Sequence, residues 1–383
     1  MAPAAAPSRR PADGRWPVIY ADPPWPYSIR NKHGCIDRDT HSKYTTMTHA
    51  ELRSFLVPAA PDAVLFMWAV APQFAECVAL LEHWGFAYAG VELTWLKTRA
   101  SGQPARGVGH FTACNAEFLV VGLRGRLHYA PAETRLHAVK REHSRKPDAA
   151  RERVLALAAR HGWGRVVELF ARDRTDPRLD FFVGDQGGAV AAPGAALAAE
   201  AVPPPPASAR KRPRPEASEE PAGPPIVLSG GGGAPRACVL VETARPEQVA
   251  RLDLRGVLAA DGFAAVRCDA RGLLATARAL QGDGRARLAF RTLLFFACDP
   301  RDPRRNEFWL AAAYRDASIK RARRCFRSQV VALGGARHPL LPVLAAAEEV
   351  FGDDPSVAVA RVDARDRAVL LERAGGPRPP AGL

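Results

Sequence analysis

Short apolar runs that alternate with helix-like segments are the feature that most constrains the fold of this chain. Three segments between the runs have apolar residues at helical spacing and end at glycine or proline signals: HAELRSFL, PQFAECVALLEHWG and PDAARERVLALAARHG. The predicted strands are VIYAD (18–22), VLFMWAV (64–70), VELTWLK (91–97), EFLVVGL (117–123) and VVELFA (166–171). This alternation predicts an α/β fold, with a mostly parallel sheet and helices on both of its faces. Ligands of such sheets bind beyond the carboxyl ends of the strands.

The segment ADPPWPY (21–27) directly follows the first predicted strand. Two prolines cannot both lie in a central strand, because each lacks a backbone N–H and has a fixed φ, so the strand must end at Asp22. The Asp22 carboxylate and the Pro23 carbonyl can both accept hydrogen bonds from one amino group, while Pro24 stiffens the loop and Trp25 offers a flat face. A purine with an exocyclic amine fits such a pocket. A turn with a core tryptophan would have the same four residues.

Composition limits the class of protein. The chain has 383 residues, 47% of them apolar, and a formal net charge of +14. Its length suggests about two domains, and its charge favours a nucleic-acid partner, because Lys and Arg that neutralise phosphates release counterions. Arginine-rich composition throughout the chain could also account for part of that charge. We expect no membrane span or secretory signal, since no apolar run approaches ~18 residues and none follows the basic N-terminus.

Seven scattered cysteines form no CxxC pair, which argues against a zinc site or a disulfide framework and favours a reducing, intracellular compartment. The cluster ARKRPRPE resembles a nuclear import signal, so both a nuclear and a cytoplasmic location are open. Its basic residues are Arg210, Lys211, Arg212 and Arg214.

The chain divides by composition at a Pro/Gly-rich stretch, residues 187–235, which we predict to be a disordered linker. We also expect disorder at residues 1–14 and 375–383. Residues 236–374 are predicted to form a second, smaller α/β domain of unknown role, with no recognisable motif. No internal repeat is evident along the chain, although both domains could share a βα arrangement. Its predicted strands are ACVLVET, FAAVRCD, TLLFFACD, VAVARVD and AVLLER, and its predicted helices are EFWLAAAYRDASIKRARRCF (307–326) and LLPVLAAAEEVF (340–351).

The first of these two helices would carry a row of basic side chains, which could either follow a phosphate backbone or form a solvated face. These residues are Arg315, Lys320, Arg321, Arg323, Arg324 and Arg327.

Residues 15–186 resemble the adenine-N(6) methyltransferases of the seventy-kilodalton methyltransferase-A subunit family. The resemblance rests on several motifs in order: ADPPWPY, HSKYTTMTHAEL (41–52), VLFMWAV, HWGFAYAGVELTWLKT (83–98), GHFTACNAEFLVVGLRG (109–125), HSRKPD (143–148), VELFAR (167–172) and VGDQ (183–186). It implies a Rossmann-like, S-adenosylmethionine-dependent fold with a permuted motif order, in which the catalytic DPPW strand precedes the strand that carries cofactor contacts.

The resemblance also implies roles for individual residues. Lys146 would hold the carboxylate of the cofactor, and Glu168 would bind its ribose hydroxyls. Asp185 stands where the family commonly has asparagine, so a hydrogen-bond donor is replaced by a charge. The implied catalytic residues are Asp22, Pro23, Pro24 and Trp25, and the implied cofactor-binding residues are Asp22, Lys146, Glu168, Arg172, Asp185 and Gln186.

Two polar loops, residues 28–46 and 99–112, are predicted to close over the site and guide an adenine into it. The predicted substrate-binding residues are Tyr27, Tyr44, Arg106 and His110. No metal ligand is assigned, because His110 has no partner ligands at metal spacing.

We therefore expect methyl transfer from S-adenosylmethionine to the exocyclic N(6) amine of adenine in a nucleic acid, with RNA slightly favoured over DNA. The transfer would need neither a metal nor a covalent enzyme intermediate. The alternative is a catalytically inactive, nucleic-acid-binding subunit of a methyltransferase complex. The resemblance also admits a methyltransferase-like partner subunit.

Overall fold

The computed structural model describes residues 11–26, 46–105, 115–141, 145–171, 174–182, 224–228, 235–243, 245–255, 257–281, 288–297, 306–314, 330–332, 357–362 and 364–371. The described residues up to Phe182 belong to one compact unit, and those from Pro224 onwards belong to a second. Within these ranges, no helix is both long enough and apolar enough to cross a membrane.

The first unit is built on a mixed seven-stranded sheet. Its strands are β1 (Trp16–Ala21), β2 (Ala59–Val70), β3 (Ala87–Thr98), β4 (Ala116–Arg124), β5 (Thr134–Val139), β6 (Val166–Leu169) and β7 (Leu179–Phe182). They lie in the order β5-β3-β4-β2-β1-β6-β7. β4 is antiparallel to both of its neighbours, and the other neighbouring strands are parallel. The predicted α/β, Rossmann-like fold is confirmed.

The sequence analysis did not predict β5 and β7, the two outer strands. The β5 sequence TRLHAV is partly or fully exposed along its whole length, and β7 has four residues, of which only Leu179 is buried. Such strands are specified by pairing with a neighbour more than by an apolar pattern of their own.

Three helices accompany this sheet: α1 (His49–Ser54), α2 (Phe74–His83) and α3 (Asp148–His161). α1 begins with a capping box, in which the Glu51 N–H donates to Thr48 Oγ1 at 3.2 Å and the Thr48 N–H donates to Glu51 Oε2 at 2.7 Å. α3 is followed by its capping residue Gly162, whose φ of 63° favours glycine.

The helices cover both faces of the sheet. Val154 and Leu157 of α3 pack in one cluster with Val18 and Tyr20, alternate residues of β1. On strand β4, Phe118 and Leu119 point to opposite faces, because successive side chains of a strand alternate. Leu119 belongs to the α3 cluster, whereas Phe118 meets Phe74 of α2 edge-on at 6.0 Å between ring centroids. Both faces are therefore apolar, as the near-continuous apolar runs of β1 and β2 predict.

A buried carboxylate braces the α3 side of the sheet. Glu92 of β3 has no exposed surface. Its Oε1 accepts from Arg153 Nε of α3 at 2.6 Å, and its Oε2 accepts from Tyr129 Oη at 2.7 Å and from the Ala132 N–H at 3.1 Å. The network therefore joins the sheet, the helix and the chain segment between β4 and β5.

The second unit contains another seven-stranded sheet. Its strands are β9 (Arg236–Thr243), β11 (Leu258–Cys268), β12 (Leu288–Ala297), β13 (Asn306–Tyr314), β14 (Val330–Ala332), β15 (Val357–Val362) and β16 (Ala368–Leu371). The order is β14-β12-β13-β11-β9-β15-β16. A short 3-10 helix, Pro246–Arg251, follows β9, and α4 (Leu273–Gln281) follows β11.

The helix predicted over residues 307–326 is wrong where the structure describes it. Asn306–Tyr314 is a strand that pairs antiparallel with both β11 and β12. Residues 308–313 of this run, FWLAAA, are buried, and its alanines favour a helix by intrinsic propensity. A continuous apolar run does not separate a buried strand from a buried helix, and pairing on both edges decided this one. The basic residues predicted on this helix and the predicted helix 340–351 lie outside the described residues.

Part of the predicted linker has defined structure. Ile226 and Val227 form the short strand β8, which pairs parallel with β10 (Leu252–Asp253). Ile226 and Leu228 are buried, exposing 2% and 1% of their surface. The three-residue apolar run IVL, overlooked within a Pro/Gly-rich stretch, gives this segment enough apolar surface to pack.

We predict that Glu92→Ala lowers the free energy of unfolding of the first unit by about 3 kcal/mol, because it removes the fully buried acceptor that the partly buried Arg153 and Tyr129 side chains share. Chemical denaturation followed by tryptophan fluorescence measures this, since Trp309 is the one tryptophan outside the first unit among the seven of the chain. Glu152→Ala is the matched control: Glu152 is 54% exposed beside Arg178, and its loss should cost under about 1 kcal/mol. Equal effects of the two substitutions would contradict the prediction.

Candidate functional site

Charged and polar side chains gather at one edge of the first sheet. Strands β1, β2, β3 and β6 are oriented the same way, so their carboxyl ends share this edge, and the antiparallel strand β4 begins there. The side chains at this edge are Asp22 after β1, Gln73 after β2, Lys97 near the end of β3, Glu117 at the start of β4, Lys146 before α3 and Glu168 in β6. The edge therefore has the position at which α/β sheets bind ligands.

Four of these side chains form a row of alternating charge. Lys146 Nζ lies 2.7 Å from Asp22 Oδ1 and 2.8 Å from Asp22 Oδ2. The same ammonium lies 3.3 Å from Glu117 Oε2, while Glu117 Oε1 accepts from Lys97 Nζ at 2.5 Å. Asp22 keeps 24% of its side chain exposed, against 12% for Glu117. Asp22 is thus the end of the row that solvent or a ligand can reach.

Glu117 and Lys146, the two inner groups of the row, are stabilised in their charged forms although both are buried. Burial alone would raise the pKa of Glu117, but the ammonium groups of Lys146 and Lys97 lower it to about 2. Burial alone would likewise lower the pKa of Lys146, but Asp22 and Glu117 raise it above its usual value. Each buried charge is stabilised by its opposite neighbour. Lys146 Nζ also lies 5.7 Å from the centroid of the Trp68 ring, within cation–π range.

The loop after Asp22 is held by its own backbone. The Trp25 N–H donates to the Pro23 carbonyl at 2.8 Å, and the Met47 N–H donates to the Pro24 carbonyl at 2.9 Å. A carbonyl oxygen has two lone pairs, so the Pro23 carbonyl can accept a second hydrogen bond. The tight turn at Pro23 agrees with the end of the strand at Asp22 that the two prolines predict.

The Trp25 ring has a fixed orientation. Its Nε1 donates to the carbonyl of Trp68 at 3.1 Å, and its ring lies 6.3 Å from that of His49, tilted by 44°. Only 5% of Trp25 is exposed. The Trp25 ring is therefore almost wholly covered by other residues of the first unit.

Gln73 ties the end of β2 to the same loop. Its Nε2 donates to the Pro26 carbonyl at 2.8 Å. Its Oε1 is buried and has no hydrogen-bond partner among the residues that the structure describes. The two carbonyls at Pro24 and Pro26 are thus both held by residues from outside the loop, which limits its movement relative to the sheet.

Lys146 is positioned by a clamp on its own segment. Arg141, at the end of β5, donates through Nη2 to the Lys146 carbonyl at 2.8 Å. The same guanidinium makes a bidentate pair with Asp148 in the first turn of α3, with both distances at 2.8 Å. The clamp closes the connection between β5 and α3 around Lys146.

Glu168 lies on the neighbouring strand and pairs with Arg151 of α3, with Nε 3.0 Å from Oε2. Tyr20, between the two acids in the sheet, accepts from Trp68 Nε1 at 2.8 Å. Burial raises the pKa of Tyr20 well above its ordinary value, and the charges of Glu168 and Asp22 raise it further. Tyr20 lies opposite Glu168 in the register of β1 and β6 and precedes Asp22 by two residues, so both carboxylates stand close to Tyr20 along the chain or across the sheet.

The structure brings together six of the residues predicted from the sequence: Asp22, Pro23, Pro24, Trp25, Lys146 and Glu168. The other seven predicted residues lie outside the described part of the chain: Tyr27, Tyr44, Arg106, His110, Arg172, Asp185 and Gln186. The sequence analysis missed Gln73, Lys97 and Glu117. Lys97 and Glu117 stand at the ends of runs predicted as strands, and that position was the signal available for them. Gln73 stands in the helix predicted after VLFMWAV, three residues beyond that strand.

Two of the described residues have the chemistry that an S-adenosylmethionine site requires. A sulfonium cofactor with an amino-acid end and a ribose needs a cation for its carboxylate and an acceptor for its diol, and Lys146 and Glu168 have these properties. Lys146 is shared with two carboxylates of the chain, so a cofactor carboxylate would have to compete with them or displace one. Over the described residues, no cluster of His, Cys, Asp or Glu could hold a metal ion.

Comparison with known proteins identifies the first unit. The family model described as MT-A70 matches residues 16–186. A type II methyltransferase, M.MunI, from a Mycoplasma species is 31% identical over 180 residues, which cover 42% of this chain and 73% of that protein.

Two plant proteins are similarly related. A probable N(6)-adenosine-methyltransferase MT-A70-like protein from Oryza sativa subsp. japonica is 31% identical over 170 residues, and an N(6)-adenosine-methyltransferase MT-A70-like protein from Arabidopsis thaliana is 31% identical over 173 residues. Each match covers 42% of this chain but only 21% and 22% of the plant proteins. The similarity lies in the unit that carries the charged edge, and through this unit the chain belongs to the MT-A70 family of methyltransferases.

Proposed function

We propose that this chain transfers a methyl group from S-adenosylmethionine to the exocyclic N(6) amine of adenine in a nucleic acid. The observation that carries the proposal is the partly exposed Asp22 carboxylate next to a braced Pro23 carbonyl, at the ligand-binding edge of an MT-A70 sheet. The relatives of the first unit include MT-A70-like N(6)-adenosine-methyltransferases and a type II methyltransferase, which supports adenine in a nucleic acid as the substrate class.

The residues of the loop suit the chemistry of an aromatic amine. Its nitrogen is a poor nucleophile, because its lone pair is delocalised into the ring. Two fixed acceptors that bind the two N–H groups favour the geometry in which the lone pair points away from the ring plane. The Asp22 carboxylate and the free lone pair of the Pro23 carbonyl are such acceptors. The proton that the methylated nitrogen must lose can leave to Asp22 or to water.

In this proposal Lys146 holds the carboxylate of the cofactor and Glu168 binds its ribose hydroxyls. Arg172, Asp185 and Gln186 supply the remaining contacts. When bound, S-adenosylmethionine supplies an electrophilic methyl group on its sulfonium. Tyr27, Tyr44, Arg106 and His110 are proposed to contact the substrate. RNA is slightly favoured over DNA on the resemblance alone, and the experiment below separates the two.

We predict that Asp22→Asn lowers the rate of methyl transfer at least ~100-fold, because an acceptor for the substrate amine becomes a donor or is lost. The chain is incubated with methyl-labelled S-adenosylmethionine and matched RNA and DNA pools, and the nucleosides are then analysed. Circular dichroism of the variant controls for folding. Label in N(6)-methyladenine, from one pool or both, is the expected result for the unmodified chain. Undiminished activity of the variant would remove the assignment, and an unmodified chain without activity would favour a non-catalytic, nucleic-acid-binding subunit.

Gln73→Leu tests whether the catalytic loop must be held to β2. Loss of a neutral hydrogen bond worth about 1 kcal/mol should lower kcat roughly fivefold. The KM for S-adenosylmethionine should remain unchanged, because the lost hydrogen bond holds the Pro26 carbonyl of the loop and neither Lys146 nor Glu168, the two residues proposed to hold the cofactor. Ser54→Ala is the matched control: it removes a neutral hydrogen bond to a backbone carbonyl, from Ser54 Oγ to Glu51 at 2.8 Å, at an exposed position outside both predicted loops, and should leave both constants unchanged. A change in the cofactor KM with unchanged kcat would contradict this role.

The lowered pKa of Glu117 predicts a pH-dependent contribution to stability. A carboxyl group whose folded pKa is about 2, against an ordinary value of 4.5, stabilises the fold above pH 4.5 and loses that contribution as the pH falls towards 2. The difference in unfolding free energy between the unmodified chain and Glu117→Gln should therefore narrow between pH 6 and pH 3.5. Urea denaturation at these two pH values measures it. A difference that stays constant would show that Glu117 does not titrate as described.

A further inference from the structure

The sheet of the second unit repeats the strand order of the first. When the strands of each sheet are numbered along the chain, both sheets have the order 5-3-4-2-1-6-7. The seven strands of the first sheet, β1 to β7, thus correspond in order to β9, β11, β12, β13, β14, β15 and β16. No internal repeat is evident in the sequence, and the βα arrangement that the two domains could share takes the form of one strand order in the structure.

Strand directions agree as well. In both sheets the first strand is parallel to the second and the sixth, the fourth is antiparallel to the second and the third, and the third is parallel to the fifth. The one difference is the last pair, which is parallel for β6 and β7 but antiparallel for β15 and β16.

The agreement extends to the register of the central pair. Trp16 pairs with Ala59 and Val18 with Val64, so β2 has a bulge between these positions. Arg236 pairs with Leu258 and Cys238 with Phe263, which places a bulge of the same size at the same position. Such a bulge is a local feature that topology alone does not require.

The segments around these strands also correspond. The Trp16 N–H donates to the Pro58 carbonyl at 2.8 Å, and the Arg236 N–H donates to the Val257 carbonyl at 2.6 Å. α4 follows β11 as α2 follows β2, and the 3-10 helix Pro246–Arg251 lies between the first two strands of its sheet, as α1 does. The matched register also aligns AEFLVV (116–121) with NEFWLA (306–311).

The same register shows which site residues the second unit lacks. Asp22, the first residue after β1, corresponds to Glu242, and the four residues DPPW correspond to ETAR (242–245). Both prolines and the aromatic ring are therefore absent from this position. Glu168, opposite Tyr20 in the first sheet, corresponds to Val359, opposite Leu240. An apolar side chain cannot accept hydrogen bonds from a ribose diol.

The carboxylate at the position of Asp22 forms an ion pair within the second unit. Glu242 Oε1 accepts from Arg267 Nη1 at 3.1 Å. Arg267 corresponds to Trp68, over which Lys146 lies in the first unit. The carboxylate at the Asp22 position is thus bound to a cation on the adjacent strand, and no proline turn presents it beyond the sheet edge.

A second hydrogen-bond network lies beyond the end of β9, the first strand of the second sheet. Asp366, between β15 and β16, accepts from Arg245 Nη2 at 3.0 Å, Gln248 Nε2 at 2.8 Å and Arg251 Nη1 at 2.9 Å. It joins the segment that corresponds to the DPPW loop to the turn after the sixth strand. In the first unit, the corresponding ends of β1 and β6 carry Asp22 and Glu168.

We propose that the second unit is a second copy of the methyltransferase fold that has lost its cofactor site, so that each chain has one cofactor site and one catalytic centre, in the first unit. This inference rests on the proposed function of the first unit. The close agreement in order, direction and bulge supports the shared fold, and the exchange of DPPW and Glu168 for ETAR and Val359 supports the loss of the site.

Isothermal titration of the full chain with S-adenosylmethionine tests this proposal. We expect one site per chain in the unmodified protein and at least a tenfold loss of affinity in Lys146→Met, with no residual tight site. Two sites in the unmodified chain, of which Lys146→Met removes one, would overturn the inference and leave the proposed function intact. The absence of any binding to the unmodified chain would overturn both.

A matched pair of substitutions gives an independent readout. Asp22→Asn and Glu242→Gln change corresponding positions of the two sheets in the same way, from carboxylate to amide. We expect Asp22→Asn to abolish methyl transfer and Glu242→Gln to retain it within about twofold. Circular dichroism checks that each variant is folded. A large loss of activity in folded Glu242→Gln would mean that the second unit takes part in the chemistry, against the proposal.

Discussion

The ion pair between Asp22 and Lys146 is the interaction on which the site depends. Asp22 directly follows β1 and Lys146 precedes α3, so the pair joins two segments that are distant in sequence. Alone, either charge at this edge would be costly, because both groups are largely removed from water. Together, and with Glu117 and Lys97 continuing the row, they form a set of paired charges in which one carboxylate remains partly exposed.

The fold explains why these four side chains meet. Parallel strands put Asp22 and Lys97 at one edge, and the antiparallel strand β4 brings Glu117 to that edge from the opposite direction. A fully parallel sheet would place the start of that strand at the far edge. The antiparallel strand in this otherwise parallel sheet is therefore what completes the charge row. The Arg141 clamp then fixes the segment from which Lys146 reaches the row.

Under the proposal that the second unit is a second copy of the fold, the two units separate a fold from a site. Both retain the same strand order and the same bulge, since these depend on apolar packing and backbone pairing along the whole sheet. The site depends on a few residues at strand ends, and those positions can change without cost to the core. In the second unit they carry Glu242, Arg245 and Val359, which form ordinary ion pairs and apolar contacts. A shared fold is thus no guarantee of a shared activity.

The sequence by itself determined the α/β class, the five principal strands and three helices of the first unit, and the end of β1 at Asp22, because apolar periodicity and proline chemistry are local properties. It also identified the DPPW loop, Lys146 and Glu168 through motifs. Only the tertiary structure decided that Gln73, Lys97 and Glu117 join them, since strand direction and long-range contacts set their positions. It also decided that FWLAAAY (308–314) is a strand and that the second sheet repeats the first, because pairing across a sheet leaves little trace in a single sequence.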